Sequence, residues 1–140
     1  MISVKETYLY ESVLKELNYP YADIFIFDGF IVSEIKQGVN FNWDEHAKHI
    51  IEDVIAFLDT DGSNLIYISN RIHSYSVIAQ DWYKFFKGSY SLKGYYVVSD
   101  RKASMLGFMV ENLFFKDKMK RFNSLFDALN WVDKGMNEVA

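Results

Sequence analysis

The pattern of apolar and polar positions first predicts a β-hairpin. Two runs of β-branched and aromatic residues, at 23–27 and 30–36, flank the pair Asp28-Gly29. An Asp-Gly pair readily takes the positive φ angles of a tight type I′ turn, which joins antiparallel strands. We therefore expect a strand in each run, with the turn between them.

Residues 43–58 instead carry apolar side chains at the i, i+3, i+4 spacing of one buried helical stripe. Asn42, with Glu45 three residues later, has the arrangement of a capping box at the start of this segment. Gly62 is placed to end it in a left-handed conformation. The spacing predicts an amphipathic helix over 43–58.

Short apolar runs and helical patterns then alternate to the end of the chain. The runs 65–69 and 95–98 predict buried strands, and residues 120–122 predict a shorter one. Helices are predicted at 77–87 with Ser76 as N-cap, at 101–115, and from a cap formed by Ser124 and Asp127 to a stop at Gly135.

Residues 5–19 are compatible with two structures. Tyr10, Leu14 and Leu17 fit a helical stripe, whereas the tyrosine-rich composition and Pro20 suit an extended edge strand. We favour the strand.

The order of these elements predicts an α/β fold. Strands that alternate with helices favour right-handed crossovers and a mostly parallel sheet, to which the hairpin adds an antiparallel edge. We expect a mixed sheet of four to five strands covered by about four helices. No linker or repeat interrupts the pattern, so residues 1–140 are expected to form one domain, with its core at about 20–134 and residues 1–19 as an extension.

Two stretches carry a resemblance to a known family. The ending Arg121-Phe-Asn-Ser-Leu-Phe-Asp-Ala-Leu-Asn-Trp131 is similar to the close of STAS-like proteins of unknown function, and residues 67–76 resemble the loop after their central strand. The order of elements also resembles the STAS domain, the SpoIIAA-like fold of anti-sigma-factor antagonists. The resemblance implies a STAS-like fold over about 20–134 and a regulatory, non-catalytic role. In phosphorylated antagonists a serine of an Asp-Ser-(Ser/Thr)-Gly-like motif stands at the start of the helix after the central strand. The resemblance therefore makes Ser74 and Ser76 candidate phosphosites, although both lack the flanking Asp and Gly of that motif.

Composition excludes several classes of function. The chain has no cysteine, which excludes disulfides, thiolate catalysis and Cys-ligated metal sites. No apolar run is long enough to span a bilayer, and the N-terminus lacks the layout of a secretory signal, so we expect a cytoplasmic protein without membrane insertion. A net charge of −4 and a pI near 5.3 make nucleic acid a poor partner.

The ends of two predicted strands follow the same pattern, Ser followed by Asn or Asp and then by Arg. This matched pair of strand ends is the clearest candidate binding site. Parallel neighbouring strands would bring these residues together at the carboxyl edge of the sheet, where open α/β sheets bind ligands. Two arginines there would favour an anion, with Arg71 solvated and its removal harmless to the fold. The candidate residues are Ser69, Asn70, Arg71, His73, Ser99, Asp100 and Arg101. Ordinary capping and strand termination is the alternative interpretation.

No catalytic or metal site is predicted. The chain has no nucleophile elbow, phosphate-binding Gly-rich loop or His-Glu-x-x-His motif, and no cofactor is expected. His46, His49 and Asp53 share a face of the helix at 43–58 and have ligand chemistry. A solvated polar face is the favoured interpretation of these three, because no supporting residues are implied nearby.

The helix at 101–115 carries more apolar surface than one sheet can cover. Either residues 5–19 cover the surplus within the chain, or a second copy covers it in a homodimer.

The leading functional hypothesis for the chain is a non-catalytic regulatory or protein-interaction module. The alternative is a binding domain for a small anionic or lipid-like ligand at the carboxyl edge of the sheet; an enzyme is not expected.

Overall fold

The computed structural model describes residues 1–100 and 105–137, which form an α/β fold. The helices within them are α1 (Lys48–Leu58), α2 (Trp82–Lys87), α3 (Met105–Phe115) and α4 (Leu125–Asn137). The strands are β1 (Lys15–Tyr19), β2 (Ala22–Ile26), β3 (Phe30–Ile35), β4 (Asn40–Phe41), β5 (Ile66–Asn70), β6 (Ser76–Val77), β7 (Gly94–Val98) and β8 (Met119–Phe122).

Six strands form one mixed sheet, in the order β1-β2-β3-β5-β7-β8. The pairs β1–β2 and β2–β3 are antiparallel, whereas β3–β5, β5–β7 and β7–β8 are parallel. The predicted hairpin followed by parallel strands is therefore confirmed. The short strands β4 and β6 pair with each other outside this sheet.

The expected count of four to five strands is wrong, because β1 adds a sixth. The ambiguous N-terminal segment contains 3₁₀ turns at Val4–Glu6 and Tyr8–Ser12 before it extends into β1. Leu17 stands opposite Ile24 in the β1–β2 ladder. Propensity alone could not decide the segment, since its second half becomes a strand by pairing with the hairpin.

The hairpin turn differs from the predicted type. Gly29 takes a φ of 85°, but Asp28 is not among the residues with positive φ. A type I′ turn needs positive φ at both central residues, so this turn is of another type. Its closing bond runs from the amide of Phe27 to the carbonyl oxygen of Phe30 at 2.9 Å.

The predicted helix over 43–58 is confirmed, with a different end. Asn42 Oδ1 accepts a hydrogen bond from the amide of Glu45, and a π-helical turn at Trp43–Ala47 leads into α1. The left-handed residue that ends the helix is Asp59, with a φ of 53°. Gly62 was expected in that role, but it lies in the following turn.

Two further helix boundaries were wrong. Ser76 does not cap a helix over 77–87; it forms β6 with Val77, and its Oγ donates to Asn40 Oδ1 at 2.8 Å. The amide of Asp127 donates to Ser124 Oγ as predicted, but α4 continues past Gly135. The error at Ser76 arises because short polar residues suit turns and strand ends as readily as caps. The error at Gly135 arises because a helix tolerates an interior glycine at a cost of about 1 kcal/mol.

The sheet has an apolar core on each face. One core contains residues of α1, α2 and α3 packed on Ile24, Tyr95 and Val97. The other contains residues of α4 and of the N-terminal segment packed on Phe25 and Ile68. Among the described residues, no helix is both long and apolar enough to cross a membrane.

Two glycines with positive φ allow a matched test of the turn after α1. A Cβ at Gly62 would lie 2.2 Å from the carbonyl oxygen of Ser91, whereas a Cβ at Gly38 would meet nothing within 4 Å. Gly38→Ala should cost only the left-handed strain, about 1–2 kcal/mol. Gly62→Ala should lower the free energy of unfolding by at least about 1 kcal/mol more, because the backbone must move. Urea titration of both variants measures the difference, and equal losses would contradict the close approach at Gly62.

Candidate functional site

The carboxyl ends of β5 and β7 bring several predicted site residues together in the interior. Ser69 and Asn70 stand opposite Val97 and Val98 in the parallel ladder, and the amide of Arg71 donates to the carbonyl oxygen of Val98 at 2.9 Å. The buried members of the predicted set are Ser69, Asn70, Arg71 and Ser99. His73 and Asp100 are exposed, and Arg101 lies outside the described residues.

Arg71 is a buried ion-pair residue. The residue is only 9% exposed, and its guanidinium donates from Nη2 to Glu111 Oε1 at 3.0 Å. It also donates to the hydroxyl of Tyr95 at 2.9 Å and from Nε to Ser69 Oγ at 3.2 Å. The ring of Tyr75 lies 5.4 Å from the guanidinium carbon. The expectation of a solvated Arg71 is therefore wrong, and we now expect its removal to destabilise the fold.

Glu111 of α3 completes this cluster and was missed as a site residue from the sequence. It is 1% exposed, and its Oε2 accepts from Trp82 Nε1 at 2.7 Å and from the Tyr95 hydroxyl at 2.8 Å. The available signal was that Glu111 is the one charged residue in the sequence 105–115. We call Arg71, Glu111, Tyr95 and Trp82 the buried polar cluster.

The electrostatics of this cluster keep Arg71 charged and Tyr95 neutral. Burial lowers the pKa of Arg71, but nearby Tyr75, Tyr95 and Glu111 outweigh that effect and hold the pKa well above its ordinary value. Burial and the Glu111 carboxylate also raise the pKa of the Tyr95 phenol. Since Arg71 stays charged and Glu111 offsets that charge, the guanidinium has little attraction left for a bound anion.

Asn70 serves a different set of contacts on the other face of the sheet. Its Nδ2 donates to Glu34 Oε2 and to the carbonyl oxygen of Ile2, both at 3.0 Å. Glu34 in turn accepts from the amide of Val4 at 2.8 Å and from Ser3 Oγ at 2.6 Å. These bonds hold the N-terminal segment on the sheet, which is a structural role.

The three residues with ligand chemistry on the first helix do not assemble into a metal site. His46 is 8% exposed, His49 is exposed, and Asp53 accepts a hydrogen bond from the hydroxyl of Tyr19. Within residues 1–100 and 105–137, no group of three or more His, Asp or Glu side chains could hold a metal ion. The prediction of a solvated polar face is correct for the exposed His49 and wrong for the buried His46.

His46 is instead packed among aromatic rings. Its ring lies 5.4 Å from that of Phe41 and 4.5 Å from that of Tyr21, centre to centre. Its Nδ1 accepts from the amide of Asn42 at 3.0 Å, so that nitrogen carries no proton. Burial lowers the pKa of His46 below its ordinary value of 6.5, although the Glu45 carboxylate opposes the shift.

An apolar cavity of about 100 Å³ lies beside the buried polar cluster. Its floor is the sheet, its sides are α1 and α2, and the paired residues Phe41 and Val77 of β4 and β6 contribute a further wall. Seven of its lining residues are aromatic: Phe41, Trp43, Tyr67, Tyr75, Trp82, Phe85 and Tyr95. The space between these rings depends on tertiary packing.

The candidate phosphosites lie in the exposed loop and short strand after β5. Ser74 and Ser76 are both exposed. The carbonyl oxygen of Ser74 accepts from the amide of Gly38 at 2.8 Å, and its amide donates to Gln37 Oε1 at 2.9 Å. Ser76 is accessible for modification, but it does not stand at a helix start as the resemblance implied.

Comparison of the chain with protein-family models, curated proteins and solved structures finds no significant match.

The buried ion pair can be tested by removing one partner and then both. Arg71→Met or Glu111→Met alone should lower the free energy of unfolding by about 3–5 kcal/mol, because each leaves a buried charge without its counterion. The double variant should recover much of that loss. Lys84→Met breaks the exposed contact with Asp44 at 3.5 Å and should change stability by less than about 1 kcal/mol. Denaturant titration measures all four; additive losses in the double variant would contradict coupling.

The buried His46 should make stability fall in mild acid. Because its folded pKa is lowered, the unfolded chain binds the proton more readily below pH 6.5. The contribution of His46 to the free energy of unfolding is therefore complete above pH 6.5. It is lost as the pH falls through the lower pKa of the folded state. His46→Gln should flatten that part of the stability profile, while His49→Gln should keep it. Thermal melts at a series of pH values measure the slope, and an unchanged slope in His46→Gln would contradict this role.

Proposed function

We propose that this chain is a cytoplasmic, non-catalytic protein-interaction module with a STAS-like fold, and that it binds a second copy through the outer face of α3. The observation that carries the proposal is a line of three exposed apolar side chains. Leu106, Met109 and Leu113 are 74%, 60% and 79% exposed. At about 100° per residue they lie within roughly 60° of one another around the helix. We call these three residues the α3 strip.

The strip exists because α3 departs from the pattern of an ordinary surface helix. Such a helix turns its apolar side chains to the core and its charges to water. Here the one charge of 105–115, on Glu111, is buried, and the leucines point outward. Contiguous exposed apolar side chains without charge favour association.

The N-terminal segment does not cover this strip. Val4, Leu9 and Val13 pack in the core on the α4 face of the sheet. Phe108 and Phe115 of α3 belong to the opposite core. The alternative in which residues 5–19 bury the surplus of α3 is therefore wrong, and this supports the proposal of an intermolecular contact.

A second copy fits the strip better than a charged partner does. The strip offers no charge for a partner of opposite sign to recognise, whereas another α3 presents the same apolar line. A two-fold axis near Met109 would bring the two strips together.

The non-catalytic part of the proposal rests on how the buried polar groups are used. Arg71, Glu111, Tyr95 and Trp82 bond to one another, which leaves this cluster a structural role rather than a reactive one. The STAS-like part rests on the motifs of the sequence, supported by the hairpin and the parallel strands that follow it.

The dimer should depend on Met109 and not on exposed apolar residues elsewhere. Met109→Glu should give a monomer of about 16.5 kDa, because each copy would place a carboxylate in the apolar contact. Phe57→Glu, on the 47% exposed Phe57 of α1, is the matched control and should remain dimeric. Sedimentation velocity over a concentration series gives the mass, and circular dichroism verifies that both variants fold.

Three side chains make a small contact, so we expect a dimer whose population rises with concentration. Wild-type protein that remains a monomer up to sub-millimolar concentration would overturn the homodimer. A dimer that both variants weaken equally would place the contact somewhere other than the α3 strip.

A further inference from the structure

The aromatic cavity has the properties of a binding site, and it lies apart from the exposed α3 strip. Protein interiors pack closely and leave few voids larger than a water molecule. This one measures about 100 Å³ and is lined almost throughout by aromatic and aliphatic side chains. An engineered apolar cavity of about 150 Å³ in another protein stays dry and takes up benzene. The cavity described here is smaller but partly open to solvent, so it suits one ring held inside and a second, fused ring at its mouth.

The polar ends of the lining rings are already bonded to protein. The Tyr67 hydroxyl bonds to Ser33 Oγ and the Tyr75 hydroxyl to Ser69 Oγ, each at 2.7 Å. The Tyr95 hydroxyl and Trp82 Nε1 both bond to Glu111. These tips have found partners within the fold, so the rings offer the cavity mainly apolar surface.

The rings are also arranged for further stacking. Tyr67 and Tyr95 are parallel within 4°, with centres 5.2 Å apart, and Trp82 tilts toward both. Aromatic groups gain from offset-stacked and edge-on contacts beyond the area that they bury. A planar guest would therefore gain more here than an alkyl chain of equal size.

The charges near the cavity disfavour an anionic ligand. Asp81 lines it, and its Oδ2 accepts from the amide of Trp43 at 2.8 Å. The nearest buried cation, Arg71, is paired with Glu111. A carboxylate brought here would meet a like charge and no uncommitted cation among these residues.

From these observations we propose that the cavity binds a small, neutral, planar aromatic molecule of one or two rings. The ligand class differs from the anion expected at the strand ends, because the structure uses the charge of Arg71 internally.

The experiment titrates full-length protein with indole, with hexanol as the alkyl probe and with indole-3-acetate as the anionic probe. Binding is followed by ¹H–¹⁵N chemical shifts and by the fluorescence of the tryptophans, using benzene where indole interferes optically. We expect saturable binding of indole and benzene, with shifts centred on Trp43, Tyr67 and Trp82. Hexanol and indole-3-acetate should each bind at least about tenfold more weakly, a difference of about 1.4 kcal/mol.

Filling the cavity should abolish this binding. Ala47→Leu places a larger side chain on the cavity wall, and Ala56→Leu, at an exposed position of α1, is its matched control. Val77→Phe fills the cavity from β6 and serves if Ala47→Leu does not fold. Ala56→Leu should bind indole like the wild type. Absence of saturable aromatic binding, equal binding by a folded filled variant, or preference for hexanol or the anion would each overturn the proposal.

Discussion

The buried ion pair between Arg71 and Glu111 determines which side of α3 faces the sheet. The helix has apolar residues on nearly every side, so burial alone gives it weak orientation. Turning it over would bury Leu106, Met109 and Leu113, each worth about 1.5–3 kcal/mol, but would expose phenylalanines of similar value. The free energy gained by burying the first set of side chains nearly cancels the free energy lost by exposing the second. A buried arginine left without its carboxylate costs about 3–5 kcal/mol, and that cost selects the observed orientation.

The same carboxylate links the exposed strip of α3 to the aromatic cavity. By facing inward, Glu111 leaves the leucines of the helix in water. By accepting hydrogen bonds from Tyr95 and Trp82, it also satisfies the polar ends of two rings that line the cavity. An ordinary apolar residue at position 111 would leave those donors without this acceptor and Arg71 without its counterion in the interior. A surface suited to association and a cavity suited to an aromatic guest thus share one buried acid.

A second buried acid organises the other face of the sheet. Glu34 accepts from Ser3, from the amide of Val4 and from Asn70, which fastens the N-terminal segment over the core that α4 also covers. Because this segment is held there, it is not available to cover α3. The two faces of the sheet are therefore covered differently. The N-terminal segment and α4 cover one face, and α1, α2 and α3 cover the other, where the outer side of α3 remains apolar.

Local pattern determined most of the fold of this protein. The hairpin at Asp28-Gly29, the amphipathic α1, the buried strands β5 and β7 and the Ser124 cap each follow from spacing and turn chemistry within about ten residues of chain, so they could be predicted from the sequence. The sixth strand, the pairing of β4 with β6 and the partners of Arg71 could not, because each joins residues far apart in sequence. The candidate residues taken from the sequence included Arg71, which was expected to be solvated, and did not include Glu111. Only the tertiary structure decided that the two charges meet in the interior, since the cost of burying either one depends on the partner that folding brings to it.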